Sequence, residues 1–228
     1  MLWHKGLLET RWRLLFVLAW EGLFLGLAYL RGVKTLDSFS AVLIGGAWLG
    51  AFVPILLAGA GINTQPAFQA AKGLHGSTLF TLSLPVSRPR LLAVRASLGW
   101  LEMAVAIGAW SCGVWFLFPI LRAATSGGEA FEYAGTLVVC ASGLYSISLL
   151  LATFLDDLWR LYGSMLAFGA LWLILNKTAP AAVNIFRGMG EASPLLTHTM
   201  PWTAMGVSLA LAASLFLVAV KVVQIREY

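Results

Sequence analysis

Charge is what this sequence has least of. Only 11% of its 228 residues are Asp, Glu, Lys or Arg and 60% are hydrophobic, whereas a soluble domain carries roughly 25% charged residues. A water-exposed fold would lack polar surface, so the solvent around this chain is lipid. Cysteine is scarce as well. Cys112 and Cys140 fall within apolar runs, with neither paired spacing nor a neighbouring His. This excludes a disulfide framework and a metal-ligand set, and leaves both as small packing residues. His4, His75 and His198 lie outside the apolar runs and no G-x-S-x-G elbow is present, which argues against a serine hydrolase within the membrane. Asp156 and Asp157 are the only adjacent Asp pair, too thin a supply for a metal-dependent lipid transferase. No G-x-x-x-x-G-K-[ST] phosphate cradle occurs, so the chain does not bind ATP in that way. No catalytic residue, metal site or cofactor of its own is expected.

What the chain has is long apolar runs. Lipid demands that every backbone N–H and C=O be paired within the element, and these runs are continuous rather than alternating, so they predict helices and not a barrel. With about 20 residues needed per crossing, the runs are Leu14 to Leu30, Ala41 to Ile62, Leu91 to Leu121, Phe131 to Leu155, Leu161 to Asn176 and Trp202 to Val223. Ahead of the first, Trp3, Leu7, Arg11 and Leu14 recur at helical spacing with Trp12 alongside, the pattern of an amphipathic helix lying in the interface over residues 1–13 before the chain turns inward. The N-terminal stretch has no small-residue cleavage site and reads as a retained span rather than a signal peptide. The expected fold is an all-α, polytopic integral membrane protein of six transmembrane helices with an N-terminal interfacial helix. It forms a single domain over residues 1–228, because the polar connections are too short to bury a core.

Orientation is set by the basic residues, which are retained on the cytoplasmic side. Lys5, Arg11, Arg13, Lys72, Arg88, Arg90, Arg95, Arg160, Lys221 and Arg226 fall on one side, against Arg31, Lys34, Arg122, Lys177 and Arg187 on the other. Both termini are therefore expected inside, in the cell (inner) membrane. The net charge of +5 flanks apolar runs and forms no basic tract with interleaved aromatics, so membrane topology accounts for it and a nucleic-acid partner is not expected.

Residues 63–90 form an apolar loop on the cytoplasmic side. Pro66 starts a short helix, Gly73 and Gly76 loosen it, Pro85 ends the short apolar helix after them and Ser87 caps the third span. Leu74, His75, Thr78, Leu79, Phe80, Leu82, Leu84 and Pro85 stand out as docking residues for a partner; the competing reading packs them beneath the membrane domain. The string GSTLFTLSLPVSRPRLLAVR, at Gly76 to Arg95, resembles the cytoplasmic loop of type-2 ABC exporter permeases. There a Gly-Thr/Ser element, a Leu-rich turn and Pro-Val-Ser-Arg precede the third span. The basic entry helix, six spans, short second inner loop and longer external connection are similar over essentially the whole chain. The resemblance implies docking of this loop on a separate ABC ATPase subunit that carries ATP and Mg, pairing with a second permease subunit (homodimer or heterodimer) across spans one and five, and export of substrate as the dimer alternates. It also makes Asp156, Asp157, Trp159 and Arg160, in the second inner loop, a smaller docking contact; the alternative is a solvated turn. The family pattern carries acidic residues ahead of the Gly-Thr/Ser element, where this sequence has Lys72 and His75.

Two carboxylates fall within the spans. A charge at bilayer depth costs about 2.5–3.5 kcal/mol, so Glu21 either faces the translocation path or bonds to another span. Glu102 shares a face of the third helix with Arg88 and Arg95, and that face is expected to meet another helix. In the external 177–201 segment, Pro180, Pro194 and Pro201 alternate with Val183, Ile185, Phe186, Leu195 and Leu196. That pattern predicts short helices re-entering the membrane, or a partly buried loop. The resulting expectation is the transmembrane subunit of an ATP-driven exporter of an amphipathic, lipidic or peptide-like substrate. A gradient-driven secondary transporter and a noncatalytic membrane scaffold are the alternatives.

Overall fold

The computed structural model describes residues 2–31, 36–59 and 87–225, all of it helices and connections with no strand among the described residues. Six long helices, α1 (Leu2–Leu30), α2 (Leu36–Leu57), α3 (Arg88–Leu117), α5 (Gly127–Ala152), α6 (Asp157–Thr178) and α9 (Trp202–Ile225), make the bundle. Short helices α4 (Pro119–Ala124), α7 (Ile185–Met189) and α8 (Pro194–Thr197) sit in the connections. Five of the six long helices, all but α2, are long and apolar enough to cross a membrane, and α2 is apolar over Gly45–Leu57. The chain is a multi-pass helical membrane protein.

Local chemistry fixes the breaks. Proline disfavours helical geometry in the residue before it, and Phe118, ahead of Pro119, is extended with φ −106° and ψ 97°. The third apolar run, expected as one helix to Leu121, therefore ends at Leu117 and resumes as α4. A capping box starts α5: the Ser126 hydroxyl accepts from the Glu129 N–H at 3.3 Å, and the Glu129 carboxylate accepts from the Ser126 N–H at 2.7 Å. At the N-terminus no turn separates an interfacial helix from the first span, because α1 is unbroken over 29 residues. At 1.5 Å per residue it is about 43 Å long, beyond the ~30 Å hydrocarbon core. The separate flat element expected over residues 1–13 is instead the first turns of this one helix. Its residues have good helix propensity and no proline or glycine pair to end it before Leu14.

Residue pairings give the directions. Thr10 meets Glu102 and Leu25 meets Gly113, so α1 and α3 run parallel. Trp100 bonds Ser142 and Tyr145 bonds Ala96, so α5 runs against α3. Gly46 meets Tyr133 and Gly50 meets Leu137, making α2 parallel to α5. Arg160 meets Ala58 while Trp172 packs on Trp48, so α6 opposes α2. The long helices thus alternate in direction, and α1 begins at the end of the bundle where α9 finishes. We call that end, which also holds Arg160, the Arg160 end, and the other the Tyr133 end.

The centre is α5, packed by α9, α3, α2 and α6 and by the short helices α7 and α8. Leu137, Cys140, Ala141, Leu144 and Leu149 are all buried. With lipid outside, such packing relies on close backbone approach and interhelical hydrogen bonds rather than on water exclusion. The α5–α9 seam shows both. The Ser208 hydroxyl accepts from the Gly143 N–H at 3.0 Å and donates to the Cys140 carbonyl at 2.8 Å. A Cβ on Gly143 would stand 2.6 Å from that hydroxyl and 3.1 Å from the Ser208 carbonyl oxygen. By contrast α1 and α6 leave broad apolar faces outward, with Trp12, Phe16 and Trp20 on one and Trp159, Tyr162 and Leu166 on the other. Cys112, expected as a packing residue, is exposed on α3, whereas Cys140 is buried.

The 177–201 segment forms a 3₁₀ turn (Ala181–Val183), α7 and α8, short helices as the prolines predict. Ile185, Met189 and Leu195 are buried in the bundle. Asn184 caps α7, accepting from the N–H groups of Phe186 and Arg187 while donating to Asn176 at 2.7 Å. The imidazole of His198, in left-handed geometry at φ 53°, lies 2.6 Å from Glu129 and ties the segment to the start of α5. Gly143→Ala is expected to prise α5 from α9 and destabilise the protein by about 1–3 kcal/mol. The same change at Gly135, where a Cβ meets nothing within 4 Å, should be nearly neutral. Thermal unfolding of the two variants in one detergent measures the difference.

Candidate functional site

The last four carbonyls of a helix have no partner within it, and in a membrane interior each must find one elsewhere. In α2 the final turn comes after Pro54, whose own carbonyl accepts from the Ala58 N–H at 2.9 Å. Gly59 then turns the chain away at φ 69°, a left-handed conformation that glycine adopts without strain. Two guanidinium groups cover the carbonyls exposed there. Arg160, from the first turn of α6, donates through Nη1 to the Ile55 carbonyl at 3.0 Å and to the Ala58 carbonyl. Arg13, from α1, reaches the Leu56 carbonyl at 3.5 Å. A cation against a helix C-terminus also meets the negative end of the macrodipole. Arg160 is 0% exposed, so its desolvation is offset by these bonds and by the dipole.

A second set of contacts ties α3 into the same place. Glu102, buried, accepts from the Thr10 hydroxyl of α1, and the charge of Arg13 acts on the same carboxylate. Tyr145 of α5 donates to the Ala96 carbonyl at 2.8 Å and lies within the field of both Glu102 and Arg160. Gly99 makes the approach possible, since a Cβ there would stand 2.6 Å from the Tyr145 oxygen and 3.0 Å from the Leu57 carbonyl. Residues of α1, α3, α5 and α6 thus converge on the end of α2.

The expected site residues fall in several places. Leu74, His75, Thr78, Leu79, Phe80, Leu82, Leu84 and Pro85 lie outside the described residues. Asp156 is exposed and is the N-cap residue of α6, which Asp157 begins. Trp159 is 65% exposed and packs edge-on against Tyr162 with ring centroids 6.5 Å apart. Arg160, grouped with them as a docking contact, is not on that surface: one residue along the helix turns the side chain inward, where the α2 carbonyls hold it. Glu102 meets another helix, as its face of α3 predicts.

Glu21 is 3% exposed on the α1 face that also buries Val17 and Leu25. Its Oε2 has no hydrogen-bond partner. One turn further along α1, Phe24 packs on Trp110 with centroids 5.7 Å apart. The Trp110 Nε1 and the Tyr133 hydroxyl both close on Gly46, where a Cβ would meet them at 2.6 and 2.7 Å, and the indole acts on the phenol beside it. Like the Glu21 Oε2, the Glu102 Oε2 and the Ser148 and Ser164 hydroxyls, toward the Arg160 end, make no hydrogen bond among the described residues.

Comparison of the chain with protein-family models, with curated proteins and with solved structures finds no match. Function is therefore read from the geometry. Among the described residues no group of His, Cys, Asp and Glu is placed to hold a metal. Sequence reasoning missed Thr10, Arg13 and Tyr145 as parts of the cluster. Arg13 counted only as a charge setting topology, and Tyr145 sits inside an apolar run with nothing nearby in sequence to mark its partner. The signal for Arg160 was its place three residues into a helix, where the side chain can turn back toward a neighbouring helix end.

Hydrogen bonds to a charged group contribute about 1.5–3 kcal/mol each. Arg160→Met, which keeps length and removes both donors, is expected to lower stability by about 3–5 kcal/mol. Trp159→Ala, on the exposed face, should cost far less. Glu102→Gln keeps an acceptor for Thr10 and should be milder than Glu102→Leu. Thermal midpoints of the four purified variants give the order.

Proposed function

We propose that this chain is the transmembrane subunit of an ATP-driven exporter of the type-2 ABC kind. It would work with a second permease subunit and with separate ATPase subunits that bind ATP and Mg. The observation that carries the reading is Arg160. The side chain comes just after the turn at residues 153–156 and bonds to the last carbonyls of α2, immediately ahead of residues 60–86. Arg160 thereby links the start of α6, after one of the connections that the family resemblance assigns to ATPase docking, to the α2 end that precedes the other. A push on either is delivered to the same helix end, and through Arg13, Glu102 and Tyr145 to α1, α3 and α5. Rigid-body motion of packed helices is the ordinary way such a push becomes a change of access.

On this reading all six long helices cross the membrane, and the excess of Lys and Arg at the Arg160 end makes that end cytoplasmic, with both termini inside the cell membrane. The outward apolar faces of α1 and α6 supply the surface for the second permease subunit. The substrate is amphipathic, lipidic or peptide-like, in keeping with a bundle whose interior has few charges. A gradient-driven transporter is the second reading, and Glu21 favours it. A buried carboxylate without a hydrogen-bond partner, as its Oε2 is, suits a proton-binding group better than a fixed structural contact.

Mass spectrometry of what copurifies with the tagged chain from its native membrane in mild detergent separates these readings. The expected outcome is a Walker-type ATPase recovered with the wild type and lost with the double substitution Leu82→Asp/Leu84→Asp. Recovery of no ATPase, under conditions that preserve known complexes, overturns the exporter reading. Transport that then collapses in Glu21→Gln would support the gradient-driven one.

A further inference from the structure

A groove of about 690 Å³ opens to the outside of the bundle between α3, α5 and α9. We propose that it holds one acyl chain of an anionic phospholipid, whose phosphate sits at Arg90. This goes beyond the transport reading and depends only on residence in a membrane.

Arg90, Ala93 and Ser97 of α3, Ser142 and Ser146 of α5 and Ala213 of α9 line the groove, with Trp100 and Phe216 among its larger residues. Small side chains on three helices leave the space open. Key polar groups along it are already used within the protein. Ser97 donates back to the Ala93 carbonyl at 2.7 Å, Trp100 donates to the Ser142 hydroxyl at 2.9 Å, and Tyr145 donates to the Ala96 carbonyl. The lining offers an occupant apolar contact rather than hydrogen bonds, which suits a hydrocarbon chain and not a polar solute.

Depth and charge choose the lipid. From Arg90 to Trp100 the helix rises about 15 Å, the thickness of one leaflet of a ~30 Å hydrocarbon core. Arg90 stands at the first turn of α3, exposed, with no hydrogen bond or ion pair to a described residue. A chain lying in the groove with its end near Trp100 brings its own phosphate to the level of Arg90. A guanidinium matches a phosphate bidentately, and a net negative headgroup gains more from it than a zwitterionic one.

Native mass spectrometry of the full chain, released from bilayers of equal phosphatidylglycerol and phosphatidylcholine, tests this. The wild type is expected to retain phosphatidylglycerol roughly fivefold over phosphatidylcholine, which is the ratio given by about 1 kcal/mol per basic residue at the surface. Arg90→Lys should keep most of that preference and Arg90→Gln should abolish it. Ala213→Trp, which fills the groove, should lower retention of both lipids together. Phosphatidylglycerol with a photoreactive group on its acyl chain should label residues 93–100 and 209–216 in the wild type, a readout independent of any variant's folding. Equal retention of the two lipids by the wild type, an unchanged ratio in Arg90→Gln, or labelling confined to other helices overturns the proposal.

Discussion

The end of α2 is the constraint on which the rest of the bundle depends. A helix that stops inside a lipid-embedded bundle leaves carbonyls that neither water nor its own backbone can satisfy. Arg160 and Arg13 meet that demand from two different helices, and each must be held where it can reach. The Arg160 backbone is fixed by the start of α6, with its N–H bonded to the Asp156 carbonyl at 2.7 Å. Arg13 is fixed by α1, whose neighbouring Thr10 bonds to Glu102. The positions of α1, α3 and α6 are therefore tied to one helix terminus, and α5 joins through Tyr145.

Not every polar atom buried in the bundle is satisfied. The Glu102 Oε2 and the Ser148 and Ser164 hydroxyls toward the Arg160 end, and the Glu21 Oε2 toward the Tyr133 end, make no hydrogen bond among the described residues. An unsatisfied buried polar group costs about 1–3 kcal/mol, and that cost falls at both ends of the bundle.

Much of the architecture was legible in the residues. The apolar runs located five of the six long helices to within about five positions, whereas α1 begins twelve residues ahead of its run; Pro119 accounts for the break within the third run, and the prolines of the 177–201 segment signalled short helices. The candidate site was less legible. Glu102 was recognisable as a helix-facing carboxylate because a charge in an apolar run must meet something. Its partner was not, since Thr10 lies 92 positions away. Arg160 looked like a surface charge beside Asp156, Asp157 and Trp159, because within a short turn sequence alone cannot distinguish the side of the helix that faces inward.

What the sequence by itself determined is the solvent and the element type: so few charges and such long apolar runs leave backbone polar groups no stable arrangement except helices in lipid. The tertiary structure alone decided which helix ends meet and which charges are buried. The reason is that a guanidinium on a long flexible stem can point to either side of its helix, and the direction is chosen by where unsatisfied carbonyls lie. Those belong to α2, more than 100 residues from Arg160, and no local pattern records them.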